Sequence, residues 1–182
     1  MRKAVFLDRD GTLNPDPGYI SNPRDFNLFP GVPQALARLK KSGYLLVLLT
    51  NQSGIARGLI SQQQLELVHQ KLQDLLASAD AELDAIYFCP HHPDFPLNGV
   101  AECDCRKPKP GMVLQAVKDF DIDLENSYVI GDRRKDIQTA LNAGSRPICI
   151  RPQPAPGYET VPTFSSLSAA VDWLLAADTN KV

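Results

Sequence analysis

Two carboxylates stand one residue apart at Asp8 and Asp10, directly behind the apolar stretch Ala4–Leu7 and just ahead of Gly11-Thr12. Carboxylates are costly to bury without partners, so a pair at the end of an apolar strand suits a cation, a reaction, or both. The pattern recurs at Gly131-Asp132-Arg133-Arg134-Lys135-Asp136, where one acid directly follows an apolar run and a second stands four positions on. Between the two lie Thr50-Asn51-Gln52-Ser53-Gly54, whose hydroxyl and amides can donate to phosphate oxygens, and Arg106-Lys107-Pro108. Lys107 offers a compact charge and Arg106 a bidentate grip on a phosphate. Each stretch alone is ordinary, because acidic turns, polar turns and adjacent basic residues are common on protein surfaces. Together they set Asp, Thr and Asp at three strand ends, with a Lys before the last.

A second cluster has a different chemistry. Cys89-Pro90-His91, eleven residues, then Cys103-Asp104-Cys105 supplies three thiolates and an imidazole. Cys₃His is a structural zinc set, and four protein ligands leave no open position for catalysis. The cluster leads straight into Arg106-Lys107, so zinc in a loop of about residues 89–106 would aim both cations at one place. Of the remaining candidates, Cys149 in a strand pattern reads as a buried apolar filler. His92 reads as a neighbour of the cluster or a solvent-facing group, and His69, between polar neighbours on a helix, as surface.

These residues need elements to hold them. Lys3–Leu7, Tyr44–Leu49, Asp84–Cys89, Ser127–Ile130 and Arg146–Ile150 read as strands, several of them continuous apolar runs of the kind buried on both faces. Val32, Ala35, Leu36 and Leu39 recur at helix spacing, and Gly43 ends that helix. Ser61 with Gln64 makes a capping box ahead of Leu65, Val68, Leu72, Leu75, Leu76 and Ala79. Helices are also expected from about Gly111 to Asp119, over Lys135–Ala143, and around Leu167, Ala170, Val171, Leu174 and Leu175. The last few residues read as frayed. Strands alternating with helices predict a doubly wound, mostly parallel, Rossmann-like α/β sheet with helices on both faces. Ligands of such sheets sit beyond the carboxyl ends of the strands, and both long loops, Asn14–Phe29 and Pro90–Pro110, leave from such an end. Neither is long enough to fold alone, so the expectation is one domain over 1–182, with a metal-loop insertion and without a cap domain.

Bulk properties narrow the class. Nineteen basic residues against 21 acidic give a net charge of −2; this lacks the basic footprint of a nucleic-acid binder. No apolar run approaches the roughly 20 residues that cross a bilayer, and Val5–Leu7 behind Arg2 and Lys3 is far too short for a signal-peptide core. The expectation is a cytoplasmic protein that binds no membrane and no nucleic acid.

With Asp8-x-Asp10, Thr50, Lys107 and Gly131-Asp132-x-x-x-Asp136 in that order, the chain resembles the haloacid-dehalogenase superfamily of phosphotransferases. The resemblance implies that Asp8 is the nucleophile and Asp10 the general acid and base, with Thr50 and Lys107 cradling the phosphoryl group. It implies Mg²⁺ held by Asp8, the backbone carbonyl of Asp10, and Asp132, with Asp136 behind them. The stretches Thr50–Gly58, Cys89–Pro93 and Cys103–Pro108 resemble the zinc-loop branch of that superfamily, which implies Zn²⁺ on Cys89, His91, Cys103 and Cys105. By the same resemblance Asp16, Pro17, Gly18, Tyr19, Thr50, Asn51, Gln52, Ser53, Arg106, Lys107 and Arg133 contact the substrate. Arg133 stands where the branch often has Lys. The implied substrate is a small sugar bisphosphate, with histidinol phosphate as the alternative; the reading from a different class is a non-catalytic, zinc-stabilised binding module, and a monomer is the expectation. Neither the resemblance nor the spacing gives a role to Arg57.

Overall fold

The computed structural model describes residues 1–179, so the frayed end expected from the sequence lies largely outside the described residues. Six parallel strands, β1 (Ala4–Leu7), β2 (Leu45–Asn51), β3 (Ala85–Cys89), β4 (Tyr128–Gly131), β5 (Arg146–Ile150) and β6 (Thr163–Phe164), form one sheet. Their order is β3-β2-β1-β4-β5-β6. Five helices accompany them: α1 (Val32–Lys41), α2 (Gln62–Ala77), α3 (Gly111–Phe120), α4 (Arg134–Ala143) and α5 (Leu167–Thr179).

Strand alternation divides the core between two faces. Val5, Leu7, Leu46, Leu48 and Ile130 pack with the apolar stripes of α1, α2 and α5. Ala4, Phe6, Leu45, Val47, Leu49 and Val129 pack with Met112, Val113 and Ala116 of α3 and Ala140 of α4. The doubly wound sheet expected from alternating elements is therefore present. The capping box is also formed: Ser61 Oγ accepts from Gln64 N at 3.1 Å, and Gln64 Oε1 from Ser61 N at 2.8 Å.

Three details differ from the sequence reading. Strand β2 runs through Thr50 and Asn51, which the sequence placed beyond its end. The two-residue β6 and the 3₁₀ turns Pro23–Asp25 and Leu124–Asn126 carry too short a pattern to show periodicity. His69 is buried, not on the surface. It stands four positions after Leu65 and three before Leu72, so helical spacing places it on the core stripe of α2 despite its polar neighbours. Cys149 is buried among apolar groups, as expected. Among the described residues, no helix is long and apolar enough to cross a membrane.

Candidate active site and metal centre

The chain winds outward from β1 through β2 to β3, then returns to build β4, β5 and β6 on the other side. The switch point therefore lies between β1 and β4, where doubly wound sheets open a crevice. Register aligns the strand ends there: Leu7 pairs with Leu48 on one side and Ile130 on the other. Asp8 N donates to Ile130 O at 2.9 Å, fixing the first residue beyond β1 against β4. Asp8 and Asp132 directly follow β1 and β4, and Thr50 is the penultimate residue of β2, so all three stand at the same edge of the sheet.

Lys107 is the hub of this edge. Its side chain is 1% exposed, and its ammonium reaches Asp8 Oδ1 at 2.8 Å, Asp136 Oδ1 at 2.7 Å and Leu49 O at 2.7 Å. Those three contacts use its three donors, so in this arrangement Lys107 grips protein oxygens and orients Asp8. Burial alone would pull the ammonium's pKa down, but Asp136 and Asp8 more than offset it and hold it above the usual lysine range. Asn51 holds the lysine's backbone: Oδ1 accepts from Lys107 N at 3.0 Å and Nδ2 donates to Lys107 O at 3.1 Å. Asn51 lines the cleft, yet its side-chain amide is committed to Lys107.

Asp8, Asp132 and Asp136 can each bring a carboxylate oxygen within 4.8 Å of the others. Asp132 Oδ1 is buried with no hydrogen-bond partner. Burial, then the charges of Asp8 and Asp136, push the Asp132 carboxyl up to about 6. Burial and Asp8 also raise Asp136, which accepts from Arg133 N at 3.0 Å. Three clustered carboxylates, two of them sharing one ammonium and the third carrying an orphaned oxygen, are a fit for a hard divalent cation with oxygen ligands. Gly11 makes the approach possible: at φ +86° it lies so close that a Cβ would sit 2.4 Å from Asp132 Oδ2.

Asp10 is held differently. Arg9 forks onto it, Nε to Oδ1 and Nη2 to Oδ2, both at 3.0 Å. Asn14 Nδ2 donates to Oδ1 and Gln52 Nε2 to Oδ2, both at 2.9 Å. Gln52 Nε2 also reaches Thr50 Oγ1 at 2.9 Å, tying Asp10 to the end of β2.

A cleft of about 280 Å³ opens over these groups. Asp8, Asp10, Asp16, Gly18, Tyr19 and Thr50 line it, as do Asn51, Gln52, Ser53, Arg106 and Arg133. Pro17 is exposed beside it, and Lys107 and Asp132 stand behind its wall. Arg133 pairs with Asp16 and lies 3.7 Å from Asp132, joining the loop after β1 to the end of β4. Lys135 also lines the cleft, and sequence reasoning missed it. The first turn of α4 separates it from Arg134, which instead lies over the Tyr158 ring at 5.5 Å. Three adjacent basic residues gave no sign of which would face in.

The cysteine cluster assembles behind the cleft. Cys89 Sγ lies 2.9 Å from Cys105 Sγ and 3.5 Å from Cys103 Sγ. His91 Nδ1 stands 3.4 Å from Cys105 Sγ and 3.8 Å from Cys89 Sγ. Tetrahedral ligands at about 2.3 Å from zinc would lie about 3.8 Å apart, so the four donors need only a small expansion to enclose the ion. Arg106 Nη1 donates to His91 O at 2.9 Å, linking a cleft cation to the cluster. Arg57, left without a role by the sequence, ties the loop after β2 to the cysteine loop: Nη2 lies 3.0 Å from His92 Nε2, and the guanidinium is 4.3 Å from the Phe95 ring centroid.

The family described as polynucleotide kinase 3 phosphatase matches residues 3–144. D-glycero-beta-D-manno-heptose-1,7-bisphosphate 7-phosphatase of Haemophilus influenzae is 49% identical over 143 residues, 79% of this chain and 78% of that protein. The Yersinia pestis protein of the same name is 43% identical over 175 residues, 94% of this chain and 89% of its own. The crystal structure of D,D-heptose 1,7-bisphosphate phosphatase from B. bronchiseptica, complexed with magnesium and phosphate, superposes with a TM-score of 0.83 at 35% identity, covering 96% of this chain and 99% of that one. The chain therefore belongs to the D-glycero-beta-D-manno-heptose-1,7-bisphosphate 7-phosphatase family, within the haloacid-dehalogenase-like fold.

Proposed function

We propose that this chain removes the 7-phosphate of D-glycero-β-D-manno-heptose 1,7-bisphosphate through a phosphoryl group carried on Asp8. The carrying observation is the state of Asp8: buried at the switch point, with Oδ1 engaged by Arg9 N at 2.9 Å and by Lys107 Nζ, which leaves Oδ2 to attack. A carboxylate nucleophile splits one difficult displacement into two easier ones. In the first, the Asp8 Oδ2–phosphorus bond forms, the bond from phosphorus to the sugar O7 breaks, and Asp10 gives its proton to O7. In the second, a water oxygen bonds to phosphorus, the Asp8–phosphorus bond breaks, and the water proton returns to Asp10. Thr50 and Ser53 donate to the phosphate oxygens at the cleft floor.

Asp8, Asp132 and the Asp10 carbonyl would hold magnesium, which supplies positive charge against the repulsion between a carboxylate and a phosphate dianion. Asp136 keeps Lys107 in place and is the partner behind this set. Cys89, His91, Cys103 and Cys105 would hold zinc as a closed structural site. Arg106, Arg133 and Lys135 give the cleft cations beyond those spent on Asp8, as a substrate with a second dianion requires. The names of the Haemophilus influenzae and Yersinia pestis relatives specify the β-anomer and support that choice.

The test is kcat/KM for the β- and α-1,7-bisphosphates and for histidinol phosphate, measured side by side with magnesium. The β-bisphosphate is expected to lead. A lead by histidinol phosphate would move the chain to the alternative substrate, and no magnesium-dependent phosphate release from any of them would end the reading.

A further inference from the structure

Arg9 is the x of the Asp8-x-Asp10 pair, and its spacing gave it no role. It is nonetheless wholly buried, among the largest side chains in the molecule to be so. An arginine wholly removed from water is rare unless paired, and this one is paired on both sides. Its fork closes on both oxygens of Asp10, while Nη1 points the other way, 3.2 Å from His69 Nε2 on α2. A guanidinium only donates. His69 Nε2 must therefore be the acceptor, which puts the imidazole proton on Nδ1 and keeps the ring neutral. Burial and the Arg9 charge hold the ring's pKa down at about 4, in agreement with that geometry.

The consequence falls on Asp10. With Arg9, Asn14 and Gln52, four donors meet the roughly four lone-pair sites of the ionised group, so one neutral amide must release its oxygen when Asp10 takes up a proton, while the bidentate fork keeps the plane of the group fixed. Asn14 and Gln52 are neutral amides reaching one oxygen each, so only Arg9 sets both oxygens at once. Small misplacements of a proton-transferring group are costly in rate.

We infer that Arg9 is a positioning residue for Asp10, and that His69, by accepting from Arg9, completes the support Asp10–Arg9–His69. The inference rests on the proton-transfer role of Asp10 given above. Arg9 touches no substrate in this account: it does not line the cleft. Its loss should therefore slow proton transfer and leave binding alone.

Arg9→Lys keeps the charge and loses the fork. Expected is a fall in kcat of about ten- to a hundredfold, corresponding to about 1.4–2.7 kcal/mol in the barrier, with KM within about twofold of the parent. Aryl phosphates, whose leaving groups need no proton, should show a smaller loss in the rate of Asp8 phosphorylation than the sugar phosphate does. In an Asp10→Asn background the same change should cost nothing further, since there is no carboxylate left to orient. His69→Leu gives an independent route if Arg9→Lys does not fold: kcat should drop about three- to tenfold, and His69→Gln, which restores an acceptor, should recover most of it. Equal loss on aryl and sugar phosphates, multiplicative losses with Asp10→Asn, or parental kcat in Arg9→Lys would each overturn the inference. A fully active Asp10→Asn would instead overturn the proton-transfer role on which it rests, so the two failures are distinguishable.

Discussion

Neutral His69 makes a quantitative prediction for acid stability. Its pKa falls from the ordinary 6.5 to about 4 in the folded protein, through burial first and the Arg9 charge second. Above pH 6.5 the ring is neutral whether the chain is folded or not, and the group adds no pH dependence. Below that, the unfolded chain takes up a proton that the folded protein refuses, so stability is lost as pH falls from 6.5 toward 4. At one pKa unit per about 1.4 kcal/mol, the loss at pH 5 is about 2 kcal/mol. For a chain of this size that is about 4–8 °C in Tm. The perturbation is His69→Gln, which keeps an acceptor for Arg9 but cannot titrate. Thermal unfolding of the parent and the variant at pH 7.5 and pH 5, with the same metal content, separates this residue from every other acid-sensitive group, because the rest is common to both. The variant should lose about 4–8 °C less than the parent on going to pH 5. Equal losses would refute the buried, neutral histidine, and with it the Arg9–His69 hydrogen bond.

Gly11→Ala would drive a methyl into Asp132 Oδ2 at 2.4 Å and strain a φ of +86°; activity should fall more than a hundredfold and magnesium should no longer raise Tm, whereas unchanged magnesium stabilisation would remove Gly11 from the metal site. Cys103→Ser should take bound zinc, measured by elemental analysis, from one ion per chain to none, and expose residues 90–106 to limited proteolysis. A zinc-loaded variant would mean that Cys103 is not a ligand. Arg133→Ala and Arg106→Ala should each raise KM about tenfold for the bisphosphate and only about twofold for the corresponding monophosphate. Equal changes on both substrates would count against binding of the second phosphate by these residues.

Much of this was legible from residue types. The strand–helix alternation follows from continuous apolar runs and one-sided helices, and it appears in the structure with five of six strands within a residue or two. The acids at the ends of β1 and β4 were legible because a charged residue directly behind a buried strand has few neutral explanations. The cysteine cluster was legible because Cys and His at such spacing are scarce by chance. Three features were not. Arg9 reads as a spacer because nothing in one sequence shows that α2 will bring His69 to its far side. Asn51 reads as a substrate amide because its partner, the backbone of Lys107, stands 56 positions away. Lys135 reads as one of three solvated cations until the first turn of α4 sorts them. The first two depend on tertiary approach between elements and the third on how one helical turn orients adjacent side chains, and neither is read from periodicity and spacing.

In the mechanism proposed above, the phosphoryl group passes through Asp8. Rapid acid quench during turnover of the sugar bisphosphate, followed by peptide mass spectrometry, tests it directly. Phosphate should be found on the peptide carrying Asp8, on that residue, and should be absent from Asp8→Asn, which should fold normally and release no phosphate. Phosphate on another side chain, or parental phosphate release from Asp8→Asn, would contradict the account.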